Sequence, residues 1–246
     1  MRICSPSGQK GCKCTSGEYE SARQRSRGEK SVLRRLAGNL FTILVLMPLP
    51  CAAPAATLAG TVVALSGPCV AHGRALKRGD AAQVGDTISV PAGANLELRM
   101  ADGSVLLVGP GSSMTVENYS AGGAGPLARL SLPHGLLRVR VARVAGPSTF
   151  VVSTAAGTAS VSSTSADWFI KAESDSAQVG VLAGTVDLTS AARRQSVSIP
   201  GHWGTRLETG RAPVLPRVWS QVEFSAVIRL TECCQSAQPK IETPVR

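Results

Sequence analysis

From Leu96 to Leu207 the apolar residues come in strand-length runs, and each run is closed by residues suited to a turn. Leu96, Leu98 and Met100 alternate with Glu97 and Arg99, the period of two that a half-buried strand requires. Asp102-Gly103 follows, a dipeptide suited to a tight hairpin because glycine accepts positive φ. Val105 to Val108 is a continuous apolar run, as in a strand covered on both faces, and Gly109-Pro110-Gly111 ends it. A third strand is expected around Met114 to Val116.

The pattern persists. Leu137, Val139 and Val141 alternate with Arg138, Arg140 and Ala142. "STFVVST" (148–154), "ASVSST" (159–164) and "DWFIKA" (167–172) are further strand candidates. "AQVGVLAGTVDLTS" (177–190) reads as two strands broken near Ala183-Gly184, and Pro200-Gly201 marks another turn. Short strands at this density predict an all-β fold: a sandwich, a roll or an irregular β-solenoid, since no strict repeat appears. Gly122 to Pro126 reads as a surface loop. Beyond Ala212 prolines punctuate the chain, and "VWSQVEFSAVIRL" fits either a helix or a strand. Residues 235–246 read as a polar, weakly ordered tail.

The first 55 residues belong to a different class. Arg34 and Arg35 precede a short apolar run, Leu36 to Leu49, and Ala53-Pro54-Ala55 closes it. Those are the three parts of an export signal, with cleavage expected between Ala55 and Ala56. The run is shorter than the ~20 residues of a spanning helix. The alternative is an uncleaved signal-anchor, which would be the chain's one link to a membrane. The expected location is therefore periplasmic or secreted, or outside the inner membrane on that anchor. Residues 1–31 are polar, basic and long for a signal's start; either translation begins near Val32 or Leu33, or they form a disordered extension. The expected division is 1–31 extension, 32–55 signal peptide, 56–211 β domain, and 212–246 C-terminal extension.

Charge follows the same division. Of the 26 Lys and Arg and 16 Asp and Glu, residues 1–55 hold nine bases and three acids, a net +6. The remaining 17 bases and 13 acids give the body only +4. It shows no basic patch interleaved with aromatics, so nucleic acid is not an expected partner. Cys4, Cys12 and Cys14 lack zinc-ligand spacing. In an oxidising compartment Cys69 could bridge to Cys233 or Cys234, or all three stay unpaired.

Constellations for catalysis are not found. Gly111-Ser112-Ser113 lacks the nucleophile-elbow form, and Gly109-Pro110-Gly111 lacks the Lys-Ser/Thr of a phosphate loop. His72, His134 and His202 each lie beside Gly or Pro and read as turn residues. Glu173 and Asp175 read as a solvated rim. No enzyme activity, cofactor or metal is expected. Candidate partner-binding residues are Arg138, Arg140 and Arg143, which could meet an anionic partner such as cell-wall polymer or lipopolysaccharide, though such a row is commonly a strand's wet face. Trp168 is a candidate for both core and recognition.

The ordered set "RGDAAQVGDTISV", "LELRMADGSVLLVGPGSSMTVENY", "LSLPHGLLRVRV", "FVVSTAAGTASVSSTSADWFI", "VGVLAGTVDLTS" and "SIPGHWGTRLETG" resembles the FecR domain family over residues 76–211. One departure is Val161-Ser162-Ser163-Thr164, where the family carries Val-Arg-Gly-Thr. Well-known members couple a cytoplasmic anti-sigma domain to a periplasmic FecR domain through a membrane helix. Here about 35 residues precede the apolar run, too few for a folded regulatory domain. The resemblance therefore implies a stand-alone exported FecR domain that binds a protein or envelope component and acts in envelope signalling. The alternative is a structural envelope module with no ligand of its own.

Overall fold

The computed structural model describes residues 57–122, 127–142, 149–161 and 163–231. In chain order the strands are β1 (Leu58–Ser66), β2 (Val70–Ala71), β3 (Arg74–Ala75), β4 (Ala81–Gln83), β5 (Thr87–Val90), β6 (Asn95–Met100), β7 (Val105–Val108), β8 (Ser112–Ser120) and β9 (Leu127–Val141). There follow β10 (Thr149–Ser153), β11 (Gly157–Val161), β12 (Ala166–Ala172), β13 (Ser176–Ala183), β14 (Thr185–Ser190), β15 (Ser196–Pro200), β16 (Trp203–Glu208) and β17 (Arg217–Val218). Among the described residues one helix, α1 (Gln221–Thr231), comes last. The fold is all-β.

The strands form one continuous mixed sheet, doubled over into two layers. The front layer runs β4-β1-β6-β7-β9-β12-β13-β16-β17. The back layer runs β3-β2-β5-β8-β9-β10-β11-β14-β15. All pairings are antiparallel except β9 with β10. Between the layers lies one core, built from the inward positions of both: Leu98, Leu106, Val139, Trp168 and Val179 from the front, Ile88, Met114, Leu130, Phe150 and Leu188 from the back.

β9 belongs to both layers. Its first half pairs with β8 and β10 in the back, and its second half pairs with β7 and β12 in the front. The change of layer falls at Pro133-His134-Gly135, where Gly135 takes φ +108. A side chain at Gly135 would run into Ser112. Ser112 is buried and ties the corner together: its Oγ donates to Gly109 O at 2.6 Å and accepts the Leu136 N–H at 2.9 Å. His134, expected in a turn, therefore sits inside a strand. His72 and His202 do occupy turns, with φ of 47 and 68.

Asp102, Ser104 and Tyr119 build the β6–β7 corner. Gly103 takes φ +86. The Asp102 carboxylate accepts the Ser104 N–H at 3.1 Å and the Ser104 hydroxyl at 2.7 Å. Tyr119 accepts the Asp102 N–H at 2.7 Å and donates its own hydroxyl to Asp102 Oδ1 at 3.1 Å. Burial, then the neighbouring Asp102 charge, push the Tyr119 phenol from 10.0 up to about 12. The fold thus favours the neutral phenol. That contribution is whole below pH 10.0 and fades as pH climbs through about 12. Denaturant titrations across this window are expected to show stability falling in the native chain and a flatter profile in Tyr119→Phe.

Candidate binding groove on the front sheet

The outward face of the front layer is organised in rows that cross the strands. One row is Leu136, Lys171, Gln178 and Arg206, from β9, β12, β13 and β16. The next is Arg138, Phe169, Gly180 and Gly204 on the same strands. A third holds Arg140 and Asp167. Period two makes neighbours part company here. Trp168 points into the main core and is fully buried, while Phe169 points out into the second row.

Gly180 and Gly204 leave that second row without side chains, and aromatic rings fill the space. A Cβ on Gly204 would strike the Trp219 indole, and one on Gly180 would strike the Phe169 ring. Glycine within a strand often marks such a close approach. Phe169, Trp219 and Phe224 pack with centroids 5.5–6.3 Å apart. With Leu136 they form a second apolar cluster, separate from the main core.

The helix α1 covers this cluster. Phe224, Val227, Ile228 and Thr231 recur at helical spacing and turn one face to the sheet. Ser220 and Glu223 form a capping box: the Ser220 Oγ accepts the Glu223 N–H at 3.3 Å, and Glu223 Oε2 accepts the Ser220 N–H at 2.8 Å. Arg217 also pairs with Glu223, and its guanidinium lies 5.9 Å above the Trp219 ring. The Arg217 hydrogen bond, followed by the Ser220 backbone bond, lowers the Glu223 carboxyl to about 2. "VWSQVEFSAVIRL", open to two readings in sequence, resolves as the last residue of β17 followed by this helix.

Beside α1 the cluster opens into a groove of about 460 Å³. Leu136, Trp219, Val227 and Leu230 line its apolar part; Lys171, Gln178 and Glu223 form a rim of both charge signs. Lys171 also pairs with Glu173 at 3.0 Å, which lowers the Glu173 carboxyl. A larger cleft of about 580 Å³ lies at β2–β5 around His72, Asp80 and Asp86. Both of its carboxylates serve turns, since Asp80 accepts the Lys77 N–H and Asp86 accepts the Gln83 N–H. Asp86 in addition pairs with His72 at 3.0 Å.

The basic row departs from the expected wet face. Arg138 is buried, with its Nε and Nη2 held 2.9 and 2.8 Å from the Asp167 carboxylate oxygens. Arg140 is partly exposed and lies 4.0 Å from the same carboxylate. A charged residue alternating with Leu and Val reads as solvent-facing, but β12 places an acid directly beside it. Cys69 is buried, and its thiol donates to Asn95 O at 3.6 Å. Burial pushes its pKa up, away from the reactive thiolate. Arg143, Cys233, Cys234, Ala55 and Ala56 lie outside the described residues. Among the described residues no helix is long and apolar enough to cross a membrane.

Residues 86–187 match the family model described as FecR protein. The chain carries a FecR domain. The match begins just before β5 and ends within β14, so the FecR domain supplies Leu136, Lys171 and Gln178 to the groove. Trp219, Glu223, Val227 and Leu230 come from the segment that follows it. No curated protein matches the sequence. Two crystal structures of a candidate anti-sigma factor from Parabacteroides distasonis, at 1.65 and 2.50 Å resolution, are 19% identical with a TM-score of 0.47 and cover 58% of this chain. The chain spans 64% and 63% of the length of those two.

Proposed function

We propose that this FecR-domain chain is an exported, non-catalytic binding module of the bacterial envelope, acting in envelope signalling or its regulation. It takes an apolar segment of a partner protein into the groove beside α1. The observation that carries this reading is the groove itself: an apolar wall with a rim of mixed charge, half of it built by the FecR domain. Such a rim suits a peptide segment better than an anionic glycan, which Glu223 would repel. The FecR match and the export-like leader support the envelope setting. The commitment of Asp102, Ser104 and Ser112 to corners supports a binding role over a catalytic one.

Leu230 lines the groove and is 49% exposed, so Leu230→Asp alters the wall without touching the core. Cross-linked capture from intact envelopes is expected to recover the partner with the native chain and at least about tenfold less with Leu230→Asp, a loss of about 1.4 kcal/mol. Equal recovery by both proteins removes the groove from the proposal. Turnover abolished by Asp102→Ala would overturn the non-catalytic reading.

A further inference from the structure

The two layers end differently at the two ends of the roll. At the β3/β4 end the edges are two and three residues long and stand among Arg74, Lys77, Arg78, Asp80 and Asp86. Short, charged edges resist pairing with another chain. At the far end the front layer is closed by the segment leading into β17: Val214 N–H donates to Arg206 O at 3.0 Å, and β17 pairs with Trp203 and Gly204. The back layer ends at β15, five residues without a charge.

The hydrogen-bond phase of β15 is set by its hairpin with β14. Ser190 N–H donates to Gln195 O at 2.9 Å, so the pairs Leu188–Val197 and Val186–Ile199 exchange bonds with β14. The peptide groups of Ser196 and Ser198, and the carbonyl of Pro200, then face away from β14, where no described strand pairs with them. Proline falls in the phase that needs no N–H toward β14. Exposed apolar side chains gather at the same end: Trp203, Val214, Val218 and, at 80% exposure, Leu215.

We infer that two copies of this chain associate through β15, antiparallel about a two-fold axis at Ser198. In that register Ser198 and the partner's Ser198 exchange two hydrogen bonds. Each Ser196 N–H reaches the carbonyl of the partner's Pro200, and because proline has no N–H to return, the Ser196 carbonyl at either end of the pairing is left to solvent. Val197 faces the partner's Ile199 on the core side, a β-branched pair that continues the core across the axis. One strand pair buries little area, and the apolar rim of Trp203, Val214, Leu215 and Val218 supplies the rest. The interface is isologous, so association stops at two copies.

Sedimentation equilibrium on the purified chain, as its host processes it, tests this across the micromolar range. The native chain is expected to show a reversible doubling of mass. Ser198→Pro removes an outward N–H without touching the β14 bonds, and Leu215→Asp charges the rim; both are expected to give the monomer mass with an unchanged circular-dichroism spectrum. Should Ser198→Pro misfold, the exposed Leu215 position decides alone. A native chain that stays monomeric throughout, or a dimer that survives Leu215→Asp, overturns the inference. Leu230→Asp is expected to leave the mass unaltered, which separates this result from the groove's.

Discussion

Gly135→Ala is expected to destabilise the whole roll by about 2–6 kcal/mol. An L side chain at φ +108 carries backbone strain of about 1–3 kcal/mol. Overpacking against buried Ser112 adds roughly another 1–3 kcal/mol. Ser112 cannot yield freely, because its hydroxyl satisfies both Gly109 O and the Leu136 N–H. The effect is global because, among the described strands, β9 alone is shared by both layers. Urea unfolding is expected to show an earlier midpoint with the slope unchanged. Thermal unfolding is expected to shift down by on the order of 10 °C. A change within about 0.5 kcal/mol would mean that the corner is not where the layers are joined.

Gly204→Val is expected to have an equally large effect of a different kind. The added side chain occupies the space of the Trp219 indole, so Trp219 must leave the sheet and take Phe224 with it. Releasing two aromatic side chains forfeits about 3–5 kcal/mol of local burial. The main core lies on the opposite face of the sheet and is not touched. Hydrogen exchange is expected to show α1 losing its protection while β6, β7 and β12 keep theirs. Partner capture is expected to fail with this variant as it does with Leu230→Asp, since the groove's outer wall departs with the helix.

Local pattern made much of this architecture readable. Asp102-Gly103, Ala183-Gly184 and Pro200-Gly201 mark three turns between strands, and alternation at Leu96, Leu98 and Met100 places β6 correctly. Three things escaped. The strands between Leu58 and Val90 are mostly two to four residues long, too short to establish a period. The layer change in β9 has only Pro133 and Gly135 to signal it, and those residues read equally well as a turn. The groove escaped because its two walls are far apart in sequence. Gly180 and Gly204, isolated within strands, were the available signal of a close approach, yet nothing local shows that Trp219 is what approaches. The burial of Arg138 is hidden for a related reason: Asp167, which pairs with it, lies 29 positions along the chain.

We propose that the FecR domain and the helix after it together make a protein-binding groove. A photo-activated cross-linking residue placed at Leu230 in living cells tests it most directly, with the same residue at exposed Thr149 on β10 in the back layer as the control. A discrete protein adduct is expected from position 230, disappearing when Gly204→Val is added, and none is expected from position 149. Adducts of the same mass from both positions, or an adduct at 230 that Gly204→Val does not weaken, would contradict it.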